Sequence, residues 1–278
     1  MGKLEGNVAV VTGGSSGIGR ATALALAAEG AAVVIGGRKA SALDEVAAAI
    51  KAQGSQALYQ IMDVREEGQV AALVGAAVQE FGRVDIMVNN AGVAYQSNIA
   101  DGNVEEWREM LETNVLALLI GCREAIRAMK ANDPQGGHIV NISSNAARQT
   151  GATGQVYSAT KHAVNAISDG LRQEVHDIGI RVTVVMPGGT LTNFGRTLPQ
   201  EVLNNAARAL GVDPEAEGVR QGEYLPQESV ERVLREHPGA LLSADDLARA
   251  VVYAVSEPSS VHVDELLVRP SVGLNLGG

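Results

Sequence analysis

The feature that most constrains this chain is an ordered alternation at its start. An apolar, β-branched run, NVAVVTG, leads into a glycine-rich turn, GGSSGIG, then an alanine-rich stretch, RATALALAAEG, then a second apolar run, AAVVIGG. Short runs of this kind suit strands buried on both faces, the condition a parallel sheet imposes. The alanine-rich stretch has the composition of a helix, and Gly30 supplies its stop.

Strand, glycine turn, helix and strand in that order open a Rossmann-type unit, so the expected fold class is α/β, a doubly wound parallel sheet. The turn places Gly13, Gly17 and Gly19 in a G-x-x-x-G-x-G spacing. This departs from the G-x-G-x-x-G dinucleotide fingerprint and lacks the Gly-Lys-Ser/Thr ending of a nucleotide triphosphate loop. The physical parts are nonetheless the same. Glycines let the backbone approach a pyrophosphate, and the helix that follows offers unpaired N–H groups at its positive end. A tight turn without a ligand is the competing reading.

The residues after the second strand bear on the cofactor. Folds that prefer NAD usually carry an acidic residue there, to hold the ribose 2′-hydroxyl. Here the corner reads Gly36-Gly37-Arg38-Lys39. Two cations with no carboxylate suit a 2′-phosphate, which arginine grips through paired bonds. The expectation is NADP(H), against the alternative of a solvated basic turn.

The alternation continues along the chain. ALDEVAAAIKAQG reads as a helix and QALYQIM as a strand ending at Asp63-Val64; EEGQVAALVGAAVQEFG is a helix, and VDIMVNNAG a strand running into Asn89-Asn90-Ala91-Gly92. Asp63 suits either a bond to an adenine amino group or a cap on the next helix. Residues 103–131 read as helical, interrupted by Asn114, a polar residue among leucines and valines that must bend the helix, satisfy a backbone group or organise water. GGHIVNISS and IRVTVVMPGGTLT are later strands with their loops. Between Phe194 and Ala240 the composition turns polar and acidic, with Pro199, Pro214, Pro226 and Pro238. This reads as an insertion of short helices over the crevice, a substrate lid at 194–240 within a single domain spanning 1–278. SADDLARAVVYAVSE is a capped helix and VDELLVRP a last strand.

Composition excludes several classes. The 278 residues carry a net charge of −10 and 3% aromatics, without the basic stripe and stacking rings of a nucleic-acid binder. At 46% hydrophobic the chain can bury a full core. No apolar run reaches membrane-spanning length and no signal peptide opens the chain, so a cytoplasmic location is expected. Cys122 is the only cysteine and sits in an apolar helical run, as a structural thiol. His138, His162, His176, His237 and His262 lack metal-ligand spacing, so no metal is expected.

Chemistry concentrates in SSNAARQTGATGQVYSATK. Tyr157 and Lys161 stand one helical turn apart on one face. A phenol normally ionises near pH 10, and an ammonium close by lowers that value towards working range. Ser144, thirteen residues earlier at the end of a strand, is placed to hold a substrate oxygen beside the phenol.

Together TGGSSGIG at 12–19, NNAG at 89–92, Asn114, Ser144, YSATK at 157–161 and PGGTLT at 187–192 resemble the short-chain dehydrogenase/reductase family over nearly the whole chain. The resemblance implies a parallel sheet of about seven strands in the order 3-2-1-4-5-6-7, and a homotetramer or dimer built through long helices and the final strand. It implies Tyr157 as general acid/base and Lys161 as the residue that holds the nicotinamide ribose and depresses the Tyr157 pKa. Ser144, rather than its neighbour Ser143, polarises the substrate oxygen, and Asn114 supports a water-linked relay to Lys161. Gly13, Ser15, Ser16, Gly17, Ile18 and Gly19 then become phosphate-side contacts, and Arg38 and Lys39 the NADP corner. Asp63, Val64, Asn90, Ala91 and Gly92 line the cofactor crevice, and Pro187, Gly188, Thr190 and Thr192 the nicotinamide side. Ala146, Arg148, Gln149, Tyr95, Gly189 and Phe194 are candidates for the substrate wall, with Arg148 facing solvent. The implied reaction is hydride exchange with a small or medium ketone or secondary alcohol. A reductase of acyl-thioester-linked ketones and a non-catalytic NADP(H)-binding regulator are the alternatives.

Overall fold

A computed structural model describes residues 2–272 except 211, 216–218 and 224–226. Pro226 of the expected lid lies outside the described residues. Strands β1 (Val8–Thr12), β2 (Ala32–Gly37), β3 (Ala57–Ile61), β4 (Ile86–Asn89), β5 (Gly137–Ile142), β6 (Ile180–Pro187) and β7 (Glu265–Val268) form one sheet in the order β3-β2-β1-β4-β5-β6-β7. Every pairing is parallel, as the strand compositions require. Every residue of β1 is buried.

The period-two geometry of a strand divides the core in two. Ala9 and Val11 of β1 face a cluster with Leu26 of α1 (Gly17–Ala28), Leu43 and Ile50 of α2 (Ala40–Ala52), and Leu247 and Val251 far along the chain. Val8 and Val10 face the other cluster, with Leu73 and Val74 of α3 (Glu67–Phe81) and with Val164 and Leu171, which lie beyond β5. A sheet coated on both sides has its ligand crevice at the carboxyl ends of the strands, where the order reverses. Here that point lies between β1 and β4.

The long helical run after β4 is three pieces. α4 (Val104–Leu111) passes through a π-helical segment, Glu112–Leu116, into α5 (Ala117–Lys130). α6 (Gln155–Val175) carries the YSATK stretch. The polar 194–240 stretch contains a 3-10 turn, Asn193–Thr197, then α7 (Gln200–Ala209) and α8 (Gln227–Glu236) among the described residues. Its two ends are pinned together, because the Leu191 N–H donates to the Leu242 carbonyl and the Leu242 N–H to the Gly189 carbonyl, both at 2.9 Å. α9 (Ala244–Ser256) opens with a reciprocal cap in which Ser243 and Asp246 each accept from the other's backbone N–H. Among the described residues, no helix is long and apolar enough to cross a membrane.

Candidate active site

The glycine turn after β1 is tied to the end of β4, its neighbour in the sheet, by side chains of both. Thr12 Oγ1 accepts the N–H groups of Asn90 and Ala91, each at 3.1 Å, and Asn90 Nδ2 donates to the Thr12 carbonyl at 2.9 Å. Gly13 adopts φ 66° and Gly17 φ 54°, values that favour glycine. A Cβ on Gly19 would stand 2.3 Å from the Gly13 carbonyl oxygen, so that glycine lets α1 close onto the turn. Gly19 accordingly packs against the back of the turn and is not among the residues that line the cavity described next. Ser16 precedes α1 without a side-chain cap, leaving first-turn N–H groups for an anion.

Gly13, Ser15, Ser16, Gly17 and Ile18 line a cavity of about 660 Å³ that also includes Arg38, Lys39, Asp63 and Val64. Asp63 is not the cap of α3, which begins at Glu67 behind Glu66. Its carboxylate instead grips Arg65, accepting from the Arg65 N–H at 3.0 Å, from Nε at 3.0 Å and from Nη2 at 2.6 Å. The Arg65 bonds hold the Asp63 carboxyl below its usual range against the opposing effect of burial, with Arg38 adding to the pull. Arg65 also lines the cavity and escaped sequence reading, since a lone arginine after a strand carries no pattern.

At the other end, β5 delivers Ser143 and Ser144, and α6 delivers Tyr157 and Lys161. Ser143 is buried, with its hydroxyl directed at α6, 2.7 Å from Asn165 Oδ1 and 3.2 Å from the Lys161 carbonyl. Ser144 caps the 3-10 turn Asn145–Ala147, accepting the Ala146 N–H at 3.1 Å, and lines the cavity. Lys161 is 4% exposed. Its Nζ donates to the Ile142 carbonyl at 2.9 Å and lies 5.8 Å from the centre of the Tyr157 ring.

The expected depression of the Tyr157 pKa is not what this arrangement produces. Burial pushes Tyr157 up to about 12, with only its hydrogen bond to Ser144 pulling the other way. Burial also pushes Lys161 down to about 8. A desolvated wall disfavours phenolate and ammonium alike, and here that cost exceeds their mutual attraction. Tyr157 keeps partial exposure and lines the cavity.

Asn114 sits in the π-helical segment, 2% exposed. Its Oδ1 accepts the Val93 N–H at 2.9 Å, and its Nδ2 donates to the Val93 carbonyl at 2.9 Å and to Thr160 Oγ1 at 3.1 Å. The side chain therefore splices the loop after β4 to α6, one residue before Lys161. Satisfying backbone groups, one of its three expected roles, is what the side chain does here.

Pro187, Gly188, Gly189, Thr190 and Thr192 line the same cavity and arch back over the glycine turn. A Cβ on Gly17 would stand 3.4 Å from that of Thr192. Asn90, Ala91 and Gly92 complete the floor. Of the candidate substrate-wall residues, Gly189 and Phe194 are on the cavity; Tyr95, Ala146, Arg148 and Gln149 are not. Tyr95 donates to Glu109 at 2.6 Å, and Arg148 is exposed, as expected, while pairing with Glu265 of β7. Cys122 is buried between Asn89 and Asn141, its thiol pushed up to about 12 by burial.

A nicotinamide dinucleotide fits this site on its own geometry, with a glycine-rich turn ahead of the uncapped start of α1 at one end and a buried lysine beside a tyrosine at the other. The family model for short chain dehydrogenases matches residues 7–202. The chain is 36% identical over 97% of its length to the glycine betaine reductase of Emericella nidulans, and spans only 19% of that longer protein. Among solved structures, it is similar to an alcohol dehydrogenase from Thermococcus sibiricus complexed with 5-hydroxy-NADP (28% identity, TM-score 0.75, covering 95% of this chain and 97% of that one). It is also similar to a 7α-hydroxysteroid dehydrogenase complexed with NADH and 7-oxo glycochenodeoxycholic acid (26% identity, TM-score 0.79, covering 99% and 97%).

Proposed function

From the premise that this chain belongs to the short-chain dehydrogenase family, we propose that it is an NADP(H)-dependent oxidoreductase acting on small or medium ketones and secondary alcohols. The observation that carries this reading is one cavity shared by the glycine turn and by Ser144, Tyr157 and Lys161. A bound nicotinamide supplies or accepts the hydride. Ser144 holds the substrate oxygen, and Tyr157 gives that oxygen a proton as negative charge builds on it, or takes the proton in the reverse direction. Lys161 orients the ribose. Its charge, held on the Ile142 carbonyl, favours the phenolate once the Tyr157 proton has left. The Asn114 side chain is engaged with Val93 and Thr160, so a water-linked relay to Lys161 would need a group other than that side chain.

Arg38 and Lys39 support NADP(H) over NAD(H), with Asp63 and Val64 beside the adenine, and the 194–240 insertion closes over bound substrate. Leu119 on α5 is 42% exposed, which fits a homo-oligomer built through α5 and α6. Light scattering tests that assembly. A panel of ketones and secondary alcohols run with NADPH and NADH, in both directions, tests the function. Turnover of ketones with NADPH favoured is the expected result, and turnover confined to NADH overturns the coenzyme assignment. Absence of turnover across the panel overturns the reaction.

A further inference from the structure

The 3-10 turn that begins the insertion carries Phe194 into the site. The Phe194 and Tyr157 rings lie 5.9 Å apart, centre to centre, at 54°, within the tilted range that aromatic pairs adopt. Phe194 Cε2 stands 3.6 Å from where a Cβ on Gly92 would be, and Lys161 Nζ stands 3.8 Å from that same point. The ring therefore spans from the floor of the cavity to the proton-transferring phenol. The turn that holds it is fastened twice. Thr192 Oγ1 accepts the Phe194 N–H at 3.3 Å, and Thr197 Oγ1 donates to the Ala94 carbonyl.

The surroundings decide what the ring can do. Gly92, Ala94, Gly189 and Gly195 line the same cavity as Phe194, with Val93, Gln96, Arg196 and Leu198 among its larger side chains. Walls built from glycine and alanine cannot reach inward to fill space a ring leaves, so removal of the ring leaves a persistent void. Phe194 is 37% exposed, open enough on one side to meet a ligand.

Resting on the oxidoreductase reading above, we infer that Phe194 is the specificity-determining residue of the substrate pocket. Its ring limits the size of the apolar substituent that lies between Tyr157 and Gly92. Slender aliphatic groups pass over the ring face; branched or aryl groups collide with it.

The test is an NMR titration of coenzyme-loaded protein with isopropanol, sec-butyl alcohol, cyclohexanol and benzhydrol, for wild type, Phe194→Ala and Phe194→Leu. Circular dichroism melts check that each variant folds. Wild type is expected to bind isopropanol and sec-butyl alcohol in preference to benzhydrol. Phe194→Ala should shift the benzhydrol-to-isopropanol affinity ratio by about 10-fold or more, the scale set by pocket methylenes, with Phe194→Leu between and the coenzyme Kd unchanged. An unchanged ratio overturns the inference, as does a parallel loss of all four alcohols and coenzyme, which would make the ring merely structural. Failure of every alcohol to bind any of the three proteins overturns it too. Turnover is scored separately: a shifted binding ratio without turnover keeps Phe194 as the size filter while the redox reading fails.

Discussion

Lys161 Nζ donates to the Ile142 carbonyl at 2.9 Å while lying 5.8 Å from the centre of the Tyr157 ring, so an ammonium and a phenol share one desolvated wall. Burial moves both pKa values away from the charged forms, Tyr157 to about 12 and Lys161 to about 8. At neutral pH the phenol is uncharged, so it is the buried lysine's charge that costs the resting fold.

That cost has a sign. The folded state holds the Lys161 proton less tightly than the unfolded chain does, since the folded value of about 8 lies below the ordinary 10.5. The unfolded chain therefore binds more protons between those values, and stability from this group rises with pH across that window. At neutral pH the buried charge costs on the order of 3 kcal/mol. Lys161→Met should raise the Tm at pH 7 and abolish turnover; a lower Tm in calorimetry contradicts this account.

Tyr157→Phe keeps the ring that packs on Phe194 and removes only the hydroxyl. Turnover should fall by at least ~100-fold, the scale of losing an acid/base group, while fluorescence titration shows coenzyme bound as in wild type. Retained activity in the purified variant would refute the assignment.

Coenzyme choice should reside in the corner after β2. Arg38→Ala is expected to weaken NADPH by about 10- to 100-fold, the loss of a charge-assisted bond to phosphate, with little effect on NADH. Kd values for both coenzymes decide it, and equal weakening of the two removes Arg38 from 2′-phosphate recognition.

His138 lies near the start of β5, at the opposite end of that strand from Ser144, and is 2% exposed. Its Nε2 meets Thr183 Oγ1 at 2.7 Å, and its Nδ1 has no partner. Burial pushes its pKa down to about 3 from 6.5, with Arg181 and His262 adding to the shift. The unfolded chain takes up this proton below pH 6.5 and the folded protein does not, so stability is lost as pH falls from there towards 3. Between pH 6.5 and 5 this site alone should contribute a loss of about 2 kcal/mol. Urea midpoints at pH 7 and 5 should converge in His138→Gln, and an undiminished pH slope in that variant excludes His138 as the source.

Several elements were legible because they are local in sequence. The parallel strands show as apolar runs, the glycine turn as a spacing, and the Tyr157–Lys161 pair as one helical turn. Each follows from backbone sterics or a helical period that neighbouring residues set among themselves. The 194–240 excursion likewise stands out through polar, proline-punctuated composition, and α7 and α8 lie within it among the described residues.

Other relationships exist only once distant segments meet. Asn114 carries no sign in its neighbours that it will splice Val93 to Thr160. The rise of the Tyr157 pKa is set by the matter packed around the phenol and not by the lysine four positions on. Chain order alone thus determined the elements, the alternation that forces a two-sided parallel sheet, and which residue types can do chemistry. Tertiary packing decided which of them reach the cavity, which serve as struts and how burial tunes their protons, because solvent exclusion depends on atoms that are neighbours in space and strangers in sequence.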